Sequence, residues 1–544
     1  RTTEFTLNGN AVTAIDGETI IEVADRLGVP IPRLCYKPGM RPDGNCRACM
    51  VEIKGERVLA PSCCRAPAPG MDVSSESTRA KSAQKMIVEL LAADMQEKVY
   101  KPDSEFEHWR RTLGVDAPRF AARAQPAADV SHPAMAVNLD ACIQCTRCVR
   151  ACREAQVNDV IGYAFRGADS KIVFDFDDPM GASTCVACGE CVQACPTGAL
   201  APAHDAYLVA ADRVVPSVCP YCGVGCQLNY HVKGNAIVRV EGRDGPANHD
   251  RLCVKGRFGF DYVRHPQRLT KPLIRKPGVP KSAEFVVDPA NPTSAFREAS
   301  WDEALEVAAG TLRRIRDAHG GHALAGFGSA KGSNEEAYLF QKLVRTGFGS
   351  NNVDHCTRLC HASSVAALLE GIGSGAVSNP VMDVMRAEVV LLIGANPVVN
   401  HPVAATWIKN AVKRGTKLIL VEPRRSELAR HAAHFLQLKP DSDVALLNAM
   451  LHTIVEEGLV AESFVADRTS GYEELRRNVA GHSPEAMAAV CGIPAAKIRE
   501  VARLYAKSRG SMILWGMGIS QHIHGTDNAR CLIALSMVTG QVGR

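Results

Sequence analysis

Two copies of one motif decide the fold of this chain: Cys142-Ile-Gln-Cys145-Thr-Arg-Cys148-Val-Arg-Ala-Cys152 and Cys185-Val-Ala-Cys188-Gly-Glu-Cys191-Val-Gln-Ala-Cys195-Pro196. This repeated spacing is typical of proteins that hold two [4Fe–4S] clusters, in which the fourth cysteine of each run ligates the cluster of the other run. We therefore expect one cluster on Cys142, Cys145, Cys148 and Cys195, and another on Cys185, Cys188, Cys191 and Cys152. Zinc, the alternative metal for paired cysteines, has no use for such a duplicated run.

The composition favours metal centres over disulfides. Of 21 cysteines in 544 residues, 17 fall before residue 254, whereas disulfide scaffolds are short secreted chains. The formal net charge of +5 is not the footprint of a nucleic-acid-binding protein. No apolar run reaches the roughly 18–20 residues of a membrane span, and the N-terminus has neither a signal core nor a twin arginine. We expect a cytoplasmic protein that binds no nucleic acid and no membrane.

The N-terminal region predicts a small cluster domain over residues 1–80. A hairpin around Asn8-Gly9 and a helix over Glu18–Gly28 precede four cysteines suited to one [2Fe–2S] cluster, with zinc as the alternative: Cys35, Cys46, Cys49 and Cys63. The region resembles the ferredoxin-like domain of the large subunit of respiratory complex I and of iron-only hydrogenases. This resemblance implies a β-grasp fold and favours Cys63 over the adjacent Cys64 as the fourth ligand.

Residues 81–135 predict a helix and a connector: the sequence favours an exposed helix over residues 78–98 and a connector over residues 99–135. The relatives named above carry a cluster held by one histidine and three cysteines in this region. Here His108 is present, but no cysteine lies between Cys64 and Cys142, so we expect no cluster at His108.

Residues 211–270 predict a third [4Fe–4S] cluster, after the two-cluster ferredoxin domain of residues 136–210. Its expected ligands are Cys219, Cys222, Cys226 and Cys253. The pattern resembles the N-terminal cluster of the molybdopterin-guanine-dinucleotide oxidoreductases. That resemblance places Lys255 between cluster and pterin; a solvated lysine is the alternative.

Residues 271–544 alternate between strands and helices. Buried strands are predicted at Glu388–Gly394, Thr416–Val421 and Ser511–Gly516, with a helix at Val403–Arg414, which is typical of a doubly wound parallel sheet. A short strand is also predicted at His322–Gly328, and a helix over Val444–Glu457 with Ser442 as its cap. Such sheets bind ligands at the carboxyl ends of their strands. No GxGxxG motif follows a strand, so a nicotinamide site on this chain is not supported.

The stretch Asn351–Ser364 contains the candidate catalytic pair. A thiolate at Cys360 is a soft ligand for a transition metal, and the imidazole of His361 can handle a proton near neutral pH. Alone, such a pair favours a buried thiol beside a surface histidine. The four upstream cysteine groups favour Cys360 as a metal ligand instead.

With these motifs, the chain resembles the alpha subunit of soluble NAD-dependent molybdenum or tungsten formate dehydrogenases. The points of resemblance are Asn351-Asn-Val-Asp, Arg358-Leu-Cys360-His361, Gly394-Ala-Asn-Pro397, Glu422-Pro-Arg424, Lys439 with Asp441, and Gly516-Met-Gly518 with Gln521. The resemblance implies Cys360 as metal ligand and His361 in substrate or proton handling. It also implies pterin contacts at Gly328, Lys331, Asn334, Gly394, Asn396, Glu422, Arg424, Lys439, Asp441, Gly518 and Gln521.

The expected activity is reversible oxidation of formate to CO2 at a bis-molybdopterin guanine dinucleotide centre with molybdenum or tungsten. Electrons would leave through one [2Fe–2S] and three [4Fe–4S] clusters to a flavin- and NAD-binding beta subunit, with a small Fe–S gamma subunit as a further partner. Members of the family continue past the position of Arg544, so residues 271–544 are expected to form truncated cofactor-binding α/β domains. The alternatives are a non-catalytic electron relay like the complex I subunit, and another pterin oxidoreductase such as nitrate reductase.

Overall fold

A computed structural model describes residues 2–95, 98–122, 124–288 and 290–544. The chain forms two compact units. The first extends to Phe260 and includes a returning segment, Val398–Asn410, and the second comprises Asp261–Pro397 and Ala411–Arg544. Within the described ranges, no helix is both long and apolar enough to cross a bilayer.

The first unit begins with a five-stranded mixed sheet. Strands Thr2–Leu7 and Asn10–Ile15 form the predicted hairpin, with both turn residues, Asn8 and Gly9, at positive φ as a type I′ turn requires. Helix Ile20–Arg26 starts with a capping box between Thr19 and Glu22 and buries its apolar face. The remaining strands are Met50–Ile53, Ala60–Pro61 and Asp72–Ser74.

Two helices follow the sheet, at Thr78–Ala93 and Glu105–Thr112. The first was expected to be an exposed helix over residues 78–98. It ends earlier and buries Ala80, Gln84 and Val88, because the amide of Gln84 donates to the carbonyls of Met50 and Ser75.

The two cysteine runs fold alike. Each passes from an irregular loop into a short helix, Arg147–Arg150 or Glu190–Ala194, that carries the third cysteine of its run. Two small antiparallel sheets frame them, pairing Met135–Val137 with Leu200–Pro202 and Ile161–Ala164 with Lys171–Phe174.

The first unit ends with a three-stranded antiparallel sheet and one short helix. The strands are Arg213–Val218, Gln227–Lys233 and Ala236–Gly242, and the helix is Val254–Phe258. The returning segment is bound by polar contacts: Trp407 Nε1 donates to Ala247 O at 2.8 Å, Thr406 Oγ1 to Gln156 Oε1 at 2.7 Å and Lys409 Nζ to Asn158 Oδ1 at 2.8 Å.

The second unit is built on a parallel sheet with the strand order His434–Leu436, Lys417–Val421, Val389–Ile393, Ser511–Trp515. All five residues of Val389–Ile393 are buried, as a central parallel strand requires. The multidomain α/β architecture predicted from the sequence is confirmed.

Smaller sheets pair Gly326–Gly328 with Val353–His355 and Leu273–Arg275 with Phe296–Glu298. The strand expected from His322 begins only at Gly326, because a 3-10 turn occupies Gly321–Ala323. The longer helices of this unit are Trp301–His319, Asn334–Lys342, Ala362–Ile372, Asp443–Glu456, Tyr472–Val479, Pro484–Cys491, Ala495–Ala506 and Gly525–Val538. The shorter ones are Thr357–Cys360, Glu462–Arg468 and Met517–Ser520. Helices Pro397–Asn400 and Pro402–Lys413 lie mostly in the returning segment of the first unit.

Candidate metal and cofactor sites

Four buried thiols lie together in the N-terminal sheet domain: Cys35, Cys46, Cys49 and Cys63. Hydrogen bonds from Cys46 and Cys63 lower the pKa of Cys35 to about 2, and a hydrogen bond from Cys63 lowers that of Cys49 to about 7. The same shared hydrogen bonds raise the pKa of Cys46 and of Cys63. The four sulfurs are therefore close enough to share protons, and four cysteine thiolates are the ligand set of a [2Fe–2S] cluster. The sulfur of exposed Cys64 lies 3.6 Å from that of Cys63, so the structure keeps both cysteines close.

The structure brings the fourth cysteine of each repeated run to the other run. Burial, together with the neighbouring charge of Cys195, raises the pKa of Cys145 to about 12. In the second group, burial raises the pKa of Cys185, and the charge of Cys152 raises it as well. Cys195 therefore lies beside the first run and Cys152 beside the second, which is the arrangement that the crossed ligation requires.

The third cysteine group surrounds a small cavity at the base of the three-stranded sheet. Burial and the charges of three neighbouring thiols together raise the pKa of Cys226 to about 12; those thiols are Cys219, Cys222 and Cys253. Lys255 follows in the helix that begins at Val254. Burial lowers the pKa of His401, a residue of the returning segment, and the charge of Lys255 lowers it as well. Lys255 and His401 are thus neighbours within the first unit.

Within the ranges that the structure describes, no three His, Cys, Asp or Glu side chains form a site for a single ion. Cluster cysteines surround several irons instead of converging on one ion at the 2.3 Å of a zinc–sulfur bond. The donor chemistry of the four cysteine groups, four thiols each, fits iron–sulfur clusters.

Cys360 and His361 lie at a break between two helices of the second unit, Thr357–Cys360 and Ala362–Ile372. Buried Ser520 contacts both residues: its hydroxyl donates to Cys360 O at 2.6 Å, and its oxygen lies 3.2 Å from His361 Nδ1. Because a hydroxyl has one proton, we assign Nδ1 as the donor and Nε2 as the acceptor of the neutral ring. Burial lowers the pKa of His361, which favours that neutral form.

Ser520 was not predicted from the sequence, because it lies 160 positions after Cys360. A serine one residue before the predicted cofactor contact Gln521 was the available signal. Its backbone is also held, because Ser363 Oγ donates to Ser520 O at 2.8 Å.

The predicted pterin contacts of the second unit follow the ends of its strands. Gly328 ends one strand, with Lys331 and Asn334 after it, and Gly394 and Asn396 follow Val389–Ile393. Other predicted contacts follow the next strands: Glu422, Arg424, Lys439, Asp441, Gly518 and Gln521.

Two of these loops touch through glycine backbone. Gly518 N donates to Gly394 O at 3.0 Å, and Gly394 has a φ of +60°. A Cβ at Gly394 would lie 2.8 Å from the backbone of Gly518, so a side chain at that position would separate the loops.

Other predicted contacts already have protein partners. Lys439 Nζ donates to Ala489 O at 2.9 Å, and Asp441 lies 3.1 Å from His522. These two residues would have to exchange or share those partners to contact a cofactor.

Two buried polar atoms of the same edge have no hydrogen-bond partner among the described residues. They are Asn396 Oδ1, after strand Val389–Ile393, and Ser426 Oγ, after strand Lys417–Val421. Buried polar groups are normally paired, so these two atoms indicate a polar ligand. A pterin guanine dinucleotide, with its amino groups and phosphates, fits this requirement.

Family models match the chain in four segments. The molybdopterin oxidoreductase model matches residues 268–544, and the molybdopterin oxidoreductase Fe4S4 domain matches residues 212–265. The chain belongs to the molybdopterin oxidoreductase family. A 2Fe-2S iron-sulfur cluster binding domain matches residues 1–78, and the ferredoxin-like domain of NADH-quinone oxidoreductase subunit 3 matches residues 132–201. The family membership expected from the sequence is confirmed.

Curated relatives of this molybdopterin oxidoreductase include formate dehydrogenase H of Escherichia coli, 40% identical over 333 residues that cover 61% of this chain and 45% of the relative. A Bacillus subtilis protein named "Probable oxidoreductase YjgC" is 31% identical over 588 residues. That match covers 99% of this chain and 58% of the relative, so the chain spans little more than half of it. Acetylene hydratase from Pelobacter acetylenicus shares the fold, with a TM-score of 0.53 at 23% identity, over 60% of this chain and 44% of that structure.

Proposed function

We propose that this molybdopterin oxidoreductase oxidises formate to CO2, reversibly, at a bis-molybdopterin guanine dinucleotide centre with molybdenum or tungsten. The observation that carries the proposal is the Cys360–His361–Ser520 arrangement, in which the thiol is followed by a neutral imidazole whose Nε2 has no hydrogen-bond partner among the described residues. The name of the Escherichia coli relative supports formate as the substrate.

The residues of the second unit have distinct roles in this proposal. When bound, the metal–pterin group supplies a two-electron acceptor. Cys360 Sγ would hold the metal, and His361 Nε2 would take the proton that formate loses when its carbon becomes CO2. Ser520 keeps the imidazole oriented through Nδ1. The eleven pterin contacts predicted from the sequence would hold the dinucleotides, with Asn396 and Ser426 offering the unpaired atoms.

Electrons would leave one at a time through the cluster groups of the first unit, with Lys255 assigned to the step between pterin and the Cys219–Cys253 cluster. Reduction of NAD requires a flavin, so we propose a flavin- and NAD-binding partner subunit and a small Fe–S subunit. The match of residues 132–201 to a domain of an NADH-quinone oxidoreductase subunit supports such a partner.

Cys360→Ala in the natural assembly tests the assignment, with Cys356→Ala as a matched control because that thiol is exposed and four residues away. We expect Cys360→Ala to abolish formate-dependent dye reduction while iron content and visible cluster absorbance stay unchanged, and Cys356→Ala to remain active. Full activity of Cys360→Ala would contradict the ligand assignment. Elemental analysis that finds iron but neither molybdenum nor tungsten would favour an electron relay instead, and reduction of nitrate but not formate would favour a nitrate reductase.

A further inference from the structure

Arg150 connects two of the cysteine groups inside the first unit. The residue is 2% exposed, and its Nη2 donates to Cys35 O at 2.6 Å and to Cys145 O at 3.2 Å. Cys35 belongs to the predicted [2Fe–2S] ligand set, and Cys145 to the first [4Fe–4S] set. One guanidinium thus contacts a ligand residue of each of two clusters.

The two cysteine groups also share a packed core. Leu34, Cys35 and Cys46 from the N-terminal domain pack in one apolar cluster with Ile143 and Cys145 from the first run. The loops that carry these cysteines are therefore joined by apolar contact as well as by the guanidinium.

Polar contacts at the rim fix the same junction. Asn45 Nδ2 donates to Thr146 Oγ1 at 3.2 Å, and Thr146 Oγ1 donates to Asp43 Oδ2 at 2.6 Å. The two ligand loops are thus held in a fixed position relative to each other on either side of Arg150.

Arg150 shares its counter-charge with Arg41. The Nε of Arg150 lies 3.1 Å from Asp43 Oδ2, and Arg41 Nη1 lies 2.8 Å from the other oxygen of the same carboxylate. Arg41 has a second partner, because its Nη2 lies 3.1 Å from Glu154 Oε1, so two carboxylates face the two guanidinium groups, which stay protonated in proteins. The neighbouring Arg147 differs, because both of its terminal nitrogens bind the carboxylate of Glu105 at 2.8 Å.

We propose that Arg150 couples the [2Fe–2S] cluster to the [4Fe–4S] cluster of Cys142, Cys145, Cys148 and Cys195 and raises the reduction potential of both. The [2Fe–2S] cluster then continues the electron path instead of forming a separate branch. In each transfer one electron leaves the reduced [4Fe–4S] cluster and reduces the [2Fe–2S] cluster, and no proton moves or bond breaks. The inference rests on the cluster ligands of the proposed function.

The physical reason is electrostatic. Reduction adds a negative charge to a cluster, and a buried cation that contacts its ligand residues stabilises the added charge more strongly than one in water. Hydrogen bonds and net charge near the cysteines are among the factors that set cluster potentials. Because Arg150 contacts both ligand sets, its charge acts on both potentials in the same direction.

EPR-monitored redox titration of the cluster-loaded assembly, poised with dithionite and without formate, tests the inference. Arg150→Gln should lower both midpoint potentials, whereas Asp43→Asn, which removes the counter-charge, should raise them. Arg166→Gln, at an exposed position of the same unit, should leave them unchanged. Opposite shifts in the first two variants would not arise from a loosened structure.

Unchanged potentials in Arg150→Gln, or a shift in one cluster alone, would overturn the inference. If that variant does not retain its clusters, Asp43→Asn and Arg150→Lys decide. Arg150→Lys keeps the charge but cannot span both carbonyls, so we expect nearly normal potentials and slower reduction of the [2Fe–2S] cluster in rapid-mixing experiments. A normal rate of [2Fe–2S] reduction in Arg150→Lys, or unchanged midpoint potentials in Asp43→Asn, would contradict the inference. If the midpoint potentials shift as expected but the wild-type assembly does not oxidise formate, the result counts against the proposed function and not against the role of Arg150.

Discussion

Substituting Glu190 by glutamine removes the charge that balances Arg257 in the interior of the first unit. The two side chains are 8% and 3% exposed, and the guanidinium binds the Glu190 carboxylate directly. Arg257 also donates to Cys188 O at 2.8 Å and to Gln193 Oε1 at 2.7 Å, so it would stay in place as a cation. Removing one partner of a buried ion pair costs about 3–5 kcal/mol. We expect the lower end, about 3 kcal/mol, because glutamine keeps an oxygen for Leu252 N.

The assay is the rate at which visible cluster absorbance is lost in mild denaturant under anaerobic conditions, because cluster loss is irreversible and stability is then a rate. At 1.36 kcal/mol per factor of ten, the expected cost corresponds to roughly a hundredfold faster loss. Glu370→Gln is the control: it breaks an exposed pair with Arg530, whose side chains are 54% and 52% exposed, and should cost at most about 1 kcal/mol. Equal rates for the two variants would refute the reasoning. The double variant Glu190→Gln, Arg257→Met should recover part of the loss.

Two other residues give further predictions. Ser520→Ala removes two hydrogen bonds, to Cys360 O and from His361 Nδ1, and should cost about 2 kcal/mol of stability. It should also lower kcat for formate more than it changes KM, and an unchanged kcat would argue against its orienting role. Burial raises the pKa of Glu241, but the hydrogen bond from His231 and the charge of Lys101 outweigh burial and lower it to about 2. A carboxylate with a depressed pKa stabilises the fold fully when the pH is above the pKa that the group has in the unfolded chain. It loses that contribution as the pH falls from about 4.5 towards 2. The stability difference between wild type and Glu241→Gln, at most about 3 kcal/mol at pH 6, should shrink by pH 3 in denaturant titrations, and a constant difference would contradict this.

Features that depend on neighbouring residues in sequence were predictable. The turn at Asn8-Gly9 fixes its hairpin through local backbone conformation, and the apolar run Val389–Ile393 is read directly as a buried parallel strand. The cysteine runs carry their own spacing, so the four cysteine groups could be predicted from the sequence alone.

Features set by distant partners were not predictable. Arg147 and Arg150 would be placed on the surface by their type, yet they are 1% and 2% exposed because Glu105 and the carbonyl of Cys35 satisfy them from other elements. Ser442 was expected to cap helix Asp443–Glu456, but its hydroxyl donates to Lys439 O at 2.6 Å instead. In each case the sequence shows that a polar group is present, but its hydrogen-bond partner is determined by the tertiary fold.

The returning segment Val398–Asn410 determines how the molecule can be divided. A fragment cut after Phe260 would contain every iron-binding cysteine predicted for the front of the chain, but it would lack Thr406, Trp407 and Lys409. Their partners, among them Gln156 and Asn158 just after Cys152, would lose those contacts. The cluster-bearing unit is therefore not encoded by one continuous segment, and a fusion protein that contains it must also include those thirteen residues.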